Sequence, residues 1–87
     1  MSAAVEIYTR PFCPYCARAL HLLKSKGVDY REIDDAYADA AKKRAMVERA
    51  NGGATFPQVF IGDRHVGGCD ELVALDRQGE LDRLLAA

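Results

Sequence analysis

The sequence lacks the features that would assign it to several common classes of binding protein. It contains no tryptophan and no apolar run long enough to cross a bilayer. It has no excess of charge of either sign, since 12 basic residues stand beside 13 acidic ones and the net charge is −1. A protein that binds nucleic acids or membrane surfaces in general needs a basic excess. We therefore expect neither a nucleic-acid partner nor a membrane partner.

Cysteine is also scarce, at three residues in a chain of 87. A secreted domain of this size that depends on disulfides needs more cysteines, and an even number of them. The segment MSAAVEIYTR, residues 1–10, has neither the basic start nor the apolar stretch of a secretory signal. The expected location is the reducing cytoplasm, where a close cysteine pair is more often a catalytic or metal site than a structural disulfide.

The chain is expected to fold as one domain over residues 1–87, because it has no internal repeat, low-complexity tract or linker. Hydrophobic periodicity and turn residues predict seven elements in the order β-α-β-α-β-β-α. The first three form a parallel βαβ unit, and Gly62-Asp63 closes an antiparallel hairpin. The prediction is an α/β fold, with a four-stranded mixed sheet and flanking helices. The predicted bounds are 5–8, 14–26, 28–34, 38–50, 58–61, 64–66, and a last helix that is capped by Asp70 and extends past Gly79.

Two of the three cysteines lie in the segment RPFCPYCARAL, residues 10–20, where the first strand gives way to the first helix. Pro14 suits the first helical position, so Cys13 is expected at the N-cap. There the N–H groups of Tyr15 and Cys16 and the helix dipole would stabilise a thiolate on an exposed Cys13. Cys16, one turn on, lies within bonding reach and should be more buried. This asymmetry favours a nucleophile and a resolving thiol in disulfide exchange.

Two other interpretations of the cysteine pair remain open from the residues alone. A structural zinc site wants four ligands, usually as two separated pairs, and the remaining candidates Cys69, His21 and His65 form no second pair. A permanent disulfide is disfavoured in a reducing compartment. Cys69 itself is read either as a small buried side chain or as a second reactive thiol near a helix start.

Four stretches of the chain resemble the dithiol glutaredoxins, in their small bacterial form, within the thioredoxin-like superfamily. CPYC at 13–16 is similar to their active site, and VEIYTR at 5–10 to their first strand. TFPQVFIG at 55–62 resembles the segment that holds their cis-proline, and GGCDEL at 67–72 their glycine-rich turn. The likeness runs over nearly the whole chain, and it implies the thioredoxin-like fold.

The resemblance also implies the roles of individual residues. Cys13 would be the nucleophile and Cys16 the resolving thiol, with glutathione as co-substrate and no permanently bound metal or organic cofactor. Pro57 would be cis, Phe56 stands where the family usually has valine, and Arg10 where it usually has lysine. The residues implied in glutathione binding are Arg10, Tyr15, Thr55, Phe56, Pro57, Gly68, Cys69 and Asp70.

General chemistry supports such a binding site. The residue before a cis-proline can pair its main chain with an extended peptide, as an added strand would. The N–H groups of Gly68, Cys69 and Asp70, at a helix start, can hold a carboxylate. The Asp70 carboxylate can pair with an ammonium group.

The sequence thus predicts a monomeric, glutathione-dependent thiol–disulfide oxidoreductase. It would reduce protein–glutathione mixed disulfides through Cys13 alone, and protein disulfides, such as those of ribonucleotide reductase, through Cys13 and Cys16 together. The first alternative is a redoxin supplied with electrons by thioredoxin reductase. The second is an iron–sulfur cluster carrier ligated by Cys13 and glutathione, although relatives with that role typically have CGFS at the site.

Overall fold

The computed structural model describes residues 3–87, which contain four strands and four helices. Residues 1 and 2, part of the segment expected to contain no secretory signal, lie outside the described residues. No helix in the described part is long and apolar enough to cross a membrane. In chain order the elements are β1 Val5–Tyr8, α1 Pro14–Ser25, β2 Arg31–Ile33, α2 Ala40–Arg49, β3 Gln58–Ile61, β4 Arg64–Gly67, α3 Cys69–Arg77 and α4 Glu80–Ala86.

The strands form one mixed sheet in the order β2-β1-β3-β4. β1 runs parallel to β2, as a βαβ unit requires, and antiparallel to β3. β3 and β4 form the antiparallel hairpin around Gly62-Asp63. The predicted four-stranded mixed sheet with flanking helices is therefore confirmed.

The two central strands, β1 and β3, are covered on both faces, because successive side chains alternate between the two sides of the sheet. Fully burying a side chain such as leucine contributes about 1.5–3 kcal/mol, so these two layers supply most of the driving force for folding. On one side α1, α3 and α4 bury Val5, Ile7, Ala19, Leu23, Val59, Ile61, Leu72, Leu81 and Leu85. On the other side α2 and the segment before it bury Tyr8, Ile33, Ala36, Met46, Ala50 and Phe60.

The C-terminal region differs from the prediction in two ways. Asp70 is not the N-cap: Gly68 is, and Asp70 lies inside the first turn of α3. The predicted single helix is two helices, because Gly79 adopts a left-handed conformation at φ 75. A left-handed glycine ends a helix readily. The change of direction lets α4 bring Leu81 and Leu85 onto the core.

Other bounds differ by a few residues. β2 begins at Arg31, three residues later than predicted, and α2 begins at Ala40, where Asp39 caps it by accepting a hydrogen bond from the Lys42 N–H. Aspartate is one of the preferred N-cap residues, which explains why α2 begins directly after Asp39. The predicted stop of α1 at Gly27 agrees with the structure, since α1 ends at Ser25 and Gly27 has φ 68.

Gly67→Ala is expected to destabilise the protein by about 2–3 kcal/mol, the cost of a strained backbone plus a steric contact. Gly67 has φ 115, and a Cβ there would lie 2.8 Å from Glu71 Oε1. The matched control is Gly62→Ala, at φ 59 and in open space, for which we expect about 1 kcal/mol. Urea unfolding followed by circular dichroism measures both, and equal losses would contradict a steric cost from the contact with Glu71.

Candidate active site

The Cys13 sulfur lies at the N-terminus of α1. Cys13 has the extended conformation of an N-cap, and its Sγ accepts a hydrogen bond from the Cys16 N–H at 3.2 Å. Of the two N–H groups predicted to face this sulfur, the one of Cys16 makes the bond. Such a donor, at the positive end of a helix dipole, stabilises negative charge on the sulfur.

Both cysteines of the pair are reduced, and both are buried. Cys16 is 3% exposed and Cys13 is 9% exposed, so the prediction that Cys16 is the more buried is confirmed. The prediction of an exposed Cys13 is wrong. The loop before β3 covers this sulfur, since the Phe56 carbonyl lies 4.0 Å from Sγ.

The environment of Cys16 keeps its proton in place. Burial, followed by the hydrogen bond and charge of Cys13, raises the pKa of the Cys16 thiol to about 12, although the main chain and charge of Arg10 act in the opposite direction. A protonated Cys16 thiol can donate to a Cys13 thiolate and stabilise it. The two thiols therefore differ in chemistry as well as in burial.

A cavity of about 180 Å³ lies next to this pair. Neither Cys13 nor Cys16 lines it, but Tyr15 lies between them in sequence and the Phe56 carbonyl is 4.0 Å from Cys13 Sγ, and both residues do. It is smaller than the pockets that enclose a drug-sized ligand, which suits a short peptide lying across the surface. The structure brings every residue implied in glutathione binding to this cavity except Arg10, which is exposed outside it. The lining residues are Tyr15, Thr55, Phe56, Pro57, Gly68, Cys69, Asp70 and Glu71.

The loop before β3 contributes its main chain to the cavity. The Phe56–Pro57 peptide bond is cis, which confirms the prediction from the resemblance. Phe56 is half-buried, and its ring packs against the core on the α2 side of the sheet, around Met46 and Phe60. The larger side chain in place of valine therefore adds apolar contact with this part of the core.

The start of α3 forms the opposite wall. Gly68 N–H donates to Glu71 Oε1 at 2.7 Å, so this donor is already used and the predicted three-donor carboxylate site is wrong in that respect. The N–H groups of Cys69 and Asp70 occupy the first helical positions, where no intrahelical carbonyl is within reach. Sequence reasoning missed Glu71, although a glutamate three residues after a cap is a known helix-start signal.

The third cysteine, Cys69, is 3% exposed and belongs to the hydrophobic core. Burial is the main cause that raises the pKa of its thiol, and the carboxylates of Asp70 and Glu71 add to it. Both observations favour the interpretation of Cys69 as a packing residue.

A buried polar contact behind the cavity also escaped the sequence analysis. Gln58, in β3, donates from Nε2 to Thr55 Oγ1 at 3.2 Å, and its Oε1 lies 2.6 Å from His65 Nε2. Gln58 is only 4% exposed. A glutamine at the start of an otherwise apolar strand was the available signal.

The described residues contain no cluster of three or more histidine, cysteine, aspartate or glutamate side chains that could hold a metal ion. His21 lies on α1 and His65 on β4, and neither joins the cysteine pair in such a cluster. The zinc interpretation therefore finds no set of ligands in residues 3–87.

A family model and relatives of similar sequence agree on one family. A sequence model of the glutaredoxin family matches residues 5–66. Glutaredoxin 3 of Escherichia coli K12 is 53% identical over 83 residues, which cover 95% of this chain and 98% of the relative. A glutaredoxin of Pseudomonas aeruginosa is also 53% identical over 83 residues, covering 95% of this chain and 96% of the relative.

Solved structures agree. The solution structure of a glutaredoxin from Brucella melitensis is 56% identical with a TM-score of 0.82, covering 97% of this chain and 89% of that one. The crystal structure of a buckwheat glutaredoxin–glutathione complex is 30% identical with a TM-score of 0.83, covering 95% of this chain and 76% of that one. The chain belongs to the glutaredoxin family of thiol–disulfide oxidoreductases, with the thioredoxin-like fold.

Proposed function

We propose that this protein uses glutathione to reduce protein–glutathione mixed disulfides through Cys13, and protein disulfides through Cys13 and Cys16. The observation that carries the proposal is the position of the Cys13 sulfur, which sits at a helix N-cap beside a cavity with main-chain donors and a carboxylate. These are the groups that an activated thiol and a charged, extended peptide require.

In the first reaction the Cys13 thiolate attacks the glutathione sulfur of the mixed disulfide. The bond between that sulfur and the protein sulfur breaks, and the protein leaves as a thiolate that takes a proton. A second glutathione thiolate then attacks the Cys13-bound glutathione sulfur. Oxidised glutathione leaves, and the Cys13 thiolate is restored.

In the second reaction Cys13 attacks a protein disulfide and forms a mixed disulfide with one of its sulfurs. Cys16 then attacks Cys13 Sγ, which releases the target as a dithiol and leaves a Cys13–Cys16 disulfide. In the mixed disulfide Cys13 no longer raises the pKa of Cys16 through its hydrogen bond and charge, although burial still does. The Cys16 proton must be removed for this step, and the departing target thiolate is the natural acceptor. Two glutathione molecules then reduce the Cys13–Cys16 disulfide and form oxidised glutathione.

The charges around the cavity fit glutathione, a short peptide with two carboxylates and one ammonium group. The Phe56 main chain can pair with it as an added strand. The N–H groups of Cys69 and Asp70 can hold one carboxylate, and the Asp70 side chain can take the ammonium group. Arg10, on the thiol side, offers a planar fork for the other carboxylate. The buckwheat neighbour solved with glutathione supports this choice of ligand.

The remaining parts of the proposal concern the setting of the reaction. The protein would act as a monomer in the cytoplasm, where the cysteine pair is kept reduced. Its partners would be glutathionylated or disulfide-bonded proteins, with ribonucleotide reductase as the family substrate. Catalysis by this route needs no permanently bound metal or organic cofactor.

Two cysteine variants separate the routes. Cys13→Ser is expected to lower deglutathionylation by more than about a thousandfold, since a serine hydroxyl is hardly ionised near neutral pH. Cys16→Ser should retain deglutathionylation and lose reduction of protein disulfides. Glutathione-coupled turnover on both kinds of substrate measures this. Substantial deglutathionylation by Cys13→Ser would show that another group is the nucleophile.

Alkylation should distinguish the three thiols, because only the thiolate reacts with iodoacetamide. With a pKa of about 12, Cys16 is ionised in roughly one molecule in a thousand at about pH 9, and still less at lower pH. The pKa of Cys69 is also raised, so this thiol too should react more slowly with iodoacetamide. Peptide mass spectrometry after brief treatment at about pH 8 should therefore find the label on Cys13. A label on Cys16 ahead of Cys13 would contradict the assigned roles.

The electron donor separates this function from the reductase-fed alternative. The oxidised protein is expected to be reduced by glutathione alone and to turn over with glutathione, glutathione reductase and NADPH. Thioredoxin reductase with NADPH should support little turnover in the absence of glutathione. The opposite ranking of the two donors would reject glutathione as the co-substrate.

A further inference from the structure

The loop that carries Thr55 is attached to the sheet by a polar chain that lies outside the cavity. Thr55 lines the cavity, whereas Gln58 and His65 do not. Gln58 is buried and uses both ends of its amide, at 3.2 Å from Thr55 Oγ1 and 2.6 Å from His65 Nε2. A buried amide with both ends paired is well placed to fix the orientation of its partners.

The donor and acceptor roles along these three hydrogen-bonded side chains determine what the Thr55 hydroxyl can donate to. With the amide oriented as in the structure, Gln58 Oε1 faces His65 Nε2 and accepts, which assigns the hydrogen to that ring nitrogen. The other end of the amide then donates to Thr55 Oγ1. Because Thr55 Oγ1 accepts from Gln58, the hydroxyl proton is left for another acceptor, and Thr55 lines the cavity where a ligand could supply one.

The His65 ring packs against a group of aromatic and cationic side chains. The His65 ring lies against Phe60, with centroids 5.1 Å apart, and Phe60 meets the edge of Tyr8 at 5.7 Å. The Arg49 guanidinium lies 4.2 Å from the Phe60 ring centroid and donates to Tyr8 Oη at 3.2 Å. Aromatic and cation–π contacts of this kind restrain the rings they join.

We propose that Gln58 and His65 are positioning residues that hold the Thr55 hydroxyl as a hydrogen-bond donor to a carboxylate of the glutathione moiety. This inference rests on the proposed function, because it requires glutathione in the cavity beside Cys13. A donor that is fixed before the ligand arrives strengthens binding, since its orientation costs nothing at that moment. The carboxylates of glutathione take no part in the exchange between sulfurs, so this contact should affect the KM of the substrate and leave kcat unchanged.

The test measures KM and kcat for the mixed disulfide of glutathione and cysteine. Thr55→Val is expected to raise KM by roughly tenfold, the effect of losing one hydrogen bond to a charged group. Gln58→Met, which keeps the length of the side chain and removes both polar ends, should raise KM by a similar or smaller factor. Thr55→Ser keeps the hydroxyl, so it should raise KM less than Thr55→Val does. Gln78→Met, the same change at an exposed position on the C-cap of α3, is the matched control.

A double-mutant cycle decides whether Gln58 acts through Thr55. In the Thr55→Val background, Gln58→Met should raise KM no further. Gln58→Glu offers acceptors only, so it should turn the Thr55 proton toward the sheet and raise KM more than Gln58→Met does. This additional effect should also vanish in the Thr55→Val background, whereas repulsion between the new carboxylate and the ligand would persist.

Several results would overturn the inference. Effects of Gln58→Met and Thr55→Val that multiply would show that the two residues act independently. An unchanged KM in Gln58→Met protein with a wild-type melting curve would show that Gln58 does not position the donor. If Gln58→Met fails to fold, His65→Phe, which keeps the ring stack and removes the Nε2 donor, must raise KM for the inference to stand. Failure of the wild-type protein to turn over the mixed disulfide would instead reject the proposed function.

Discussion

The hydrogen bond from the Cys16 N–H to Cys13 Sγ, at 3.2 Å, is the contact on which the rest of the site depends. It exists because Pro14 begins α1 at the residue after Cys13, which makes the sulfur the cap of the helix. The same helical turn carries Cys16 into the core, where burial holds its proton. The start of α1 therefore places the Cys13 sulfur where a negative charge is stabilised, and it places beside that sulfur a protonated Cys16 thiol that can stabilise the charge further.

The sheet determines what this sulfur faces. Tyr8, at the end of β1, lies opposite Gln58, at the start of β3, and Val59 pairs with Gly67 at the end of β4. Because β3 is antiparallel to both β1 and β4, the end of β1, the start of β3 and the end of β4 lie side by side at the same end of the sheet. The chain there leaves β1 toward Cys13, enters β3 from Pro57 and leaves β4 toward Cys69. Three segments that are far apart in sequence thus meet around one cavity.

Sequence reasoning succeeded where the signal was local. The positions of Cys13, Pro14 and Cys16 at the start of α1 follow from spacing and helix-start chemistry, and the strand alternation predicted the mixed sheet. It failed where the outcome depends on tertiary contacts: Gly79 divides a helix whose apolar pattern continues across it, and Glu71 occupies a donor that the pattern left open. The function of Gln58 needs both partners in place, and no periodicity reveals them. The packing of Phe56 could not be predicted either, since its neighbours in the α2-side core come from other elements.

The charged side chains around the cavity are distributed unevenly, with carboxylates on one side and a cation on the other. The carboxylates of Asp70 and Glu71 line the wall formed by α3, and Glu71 is tied to the Gly68 N–H. Arg10 stands outside the cavity, on the side of the thiols, where its charge acts on Cys16. A peptide with an ammonium group at one end therefore gains most when that end meets Asp70 and its far carboxylate turns toward Arg10. Under the proposed function, this orientation would bring the sulfur, near the middle of the peptide, toward Cys13, so the charges would favour the direction that permits the reaction.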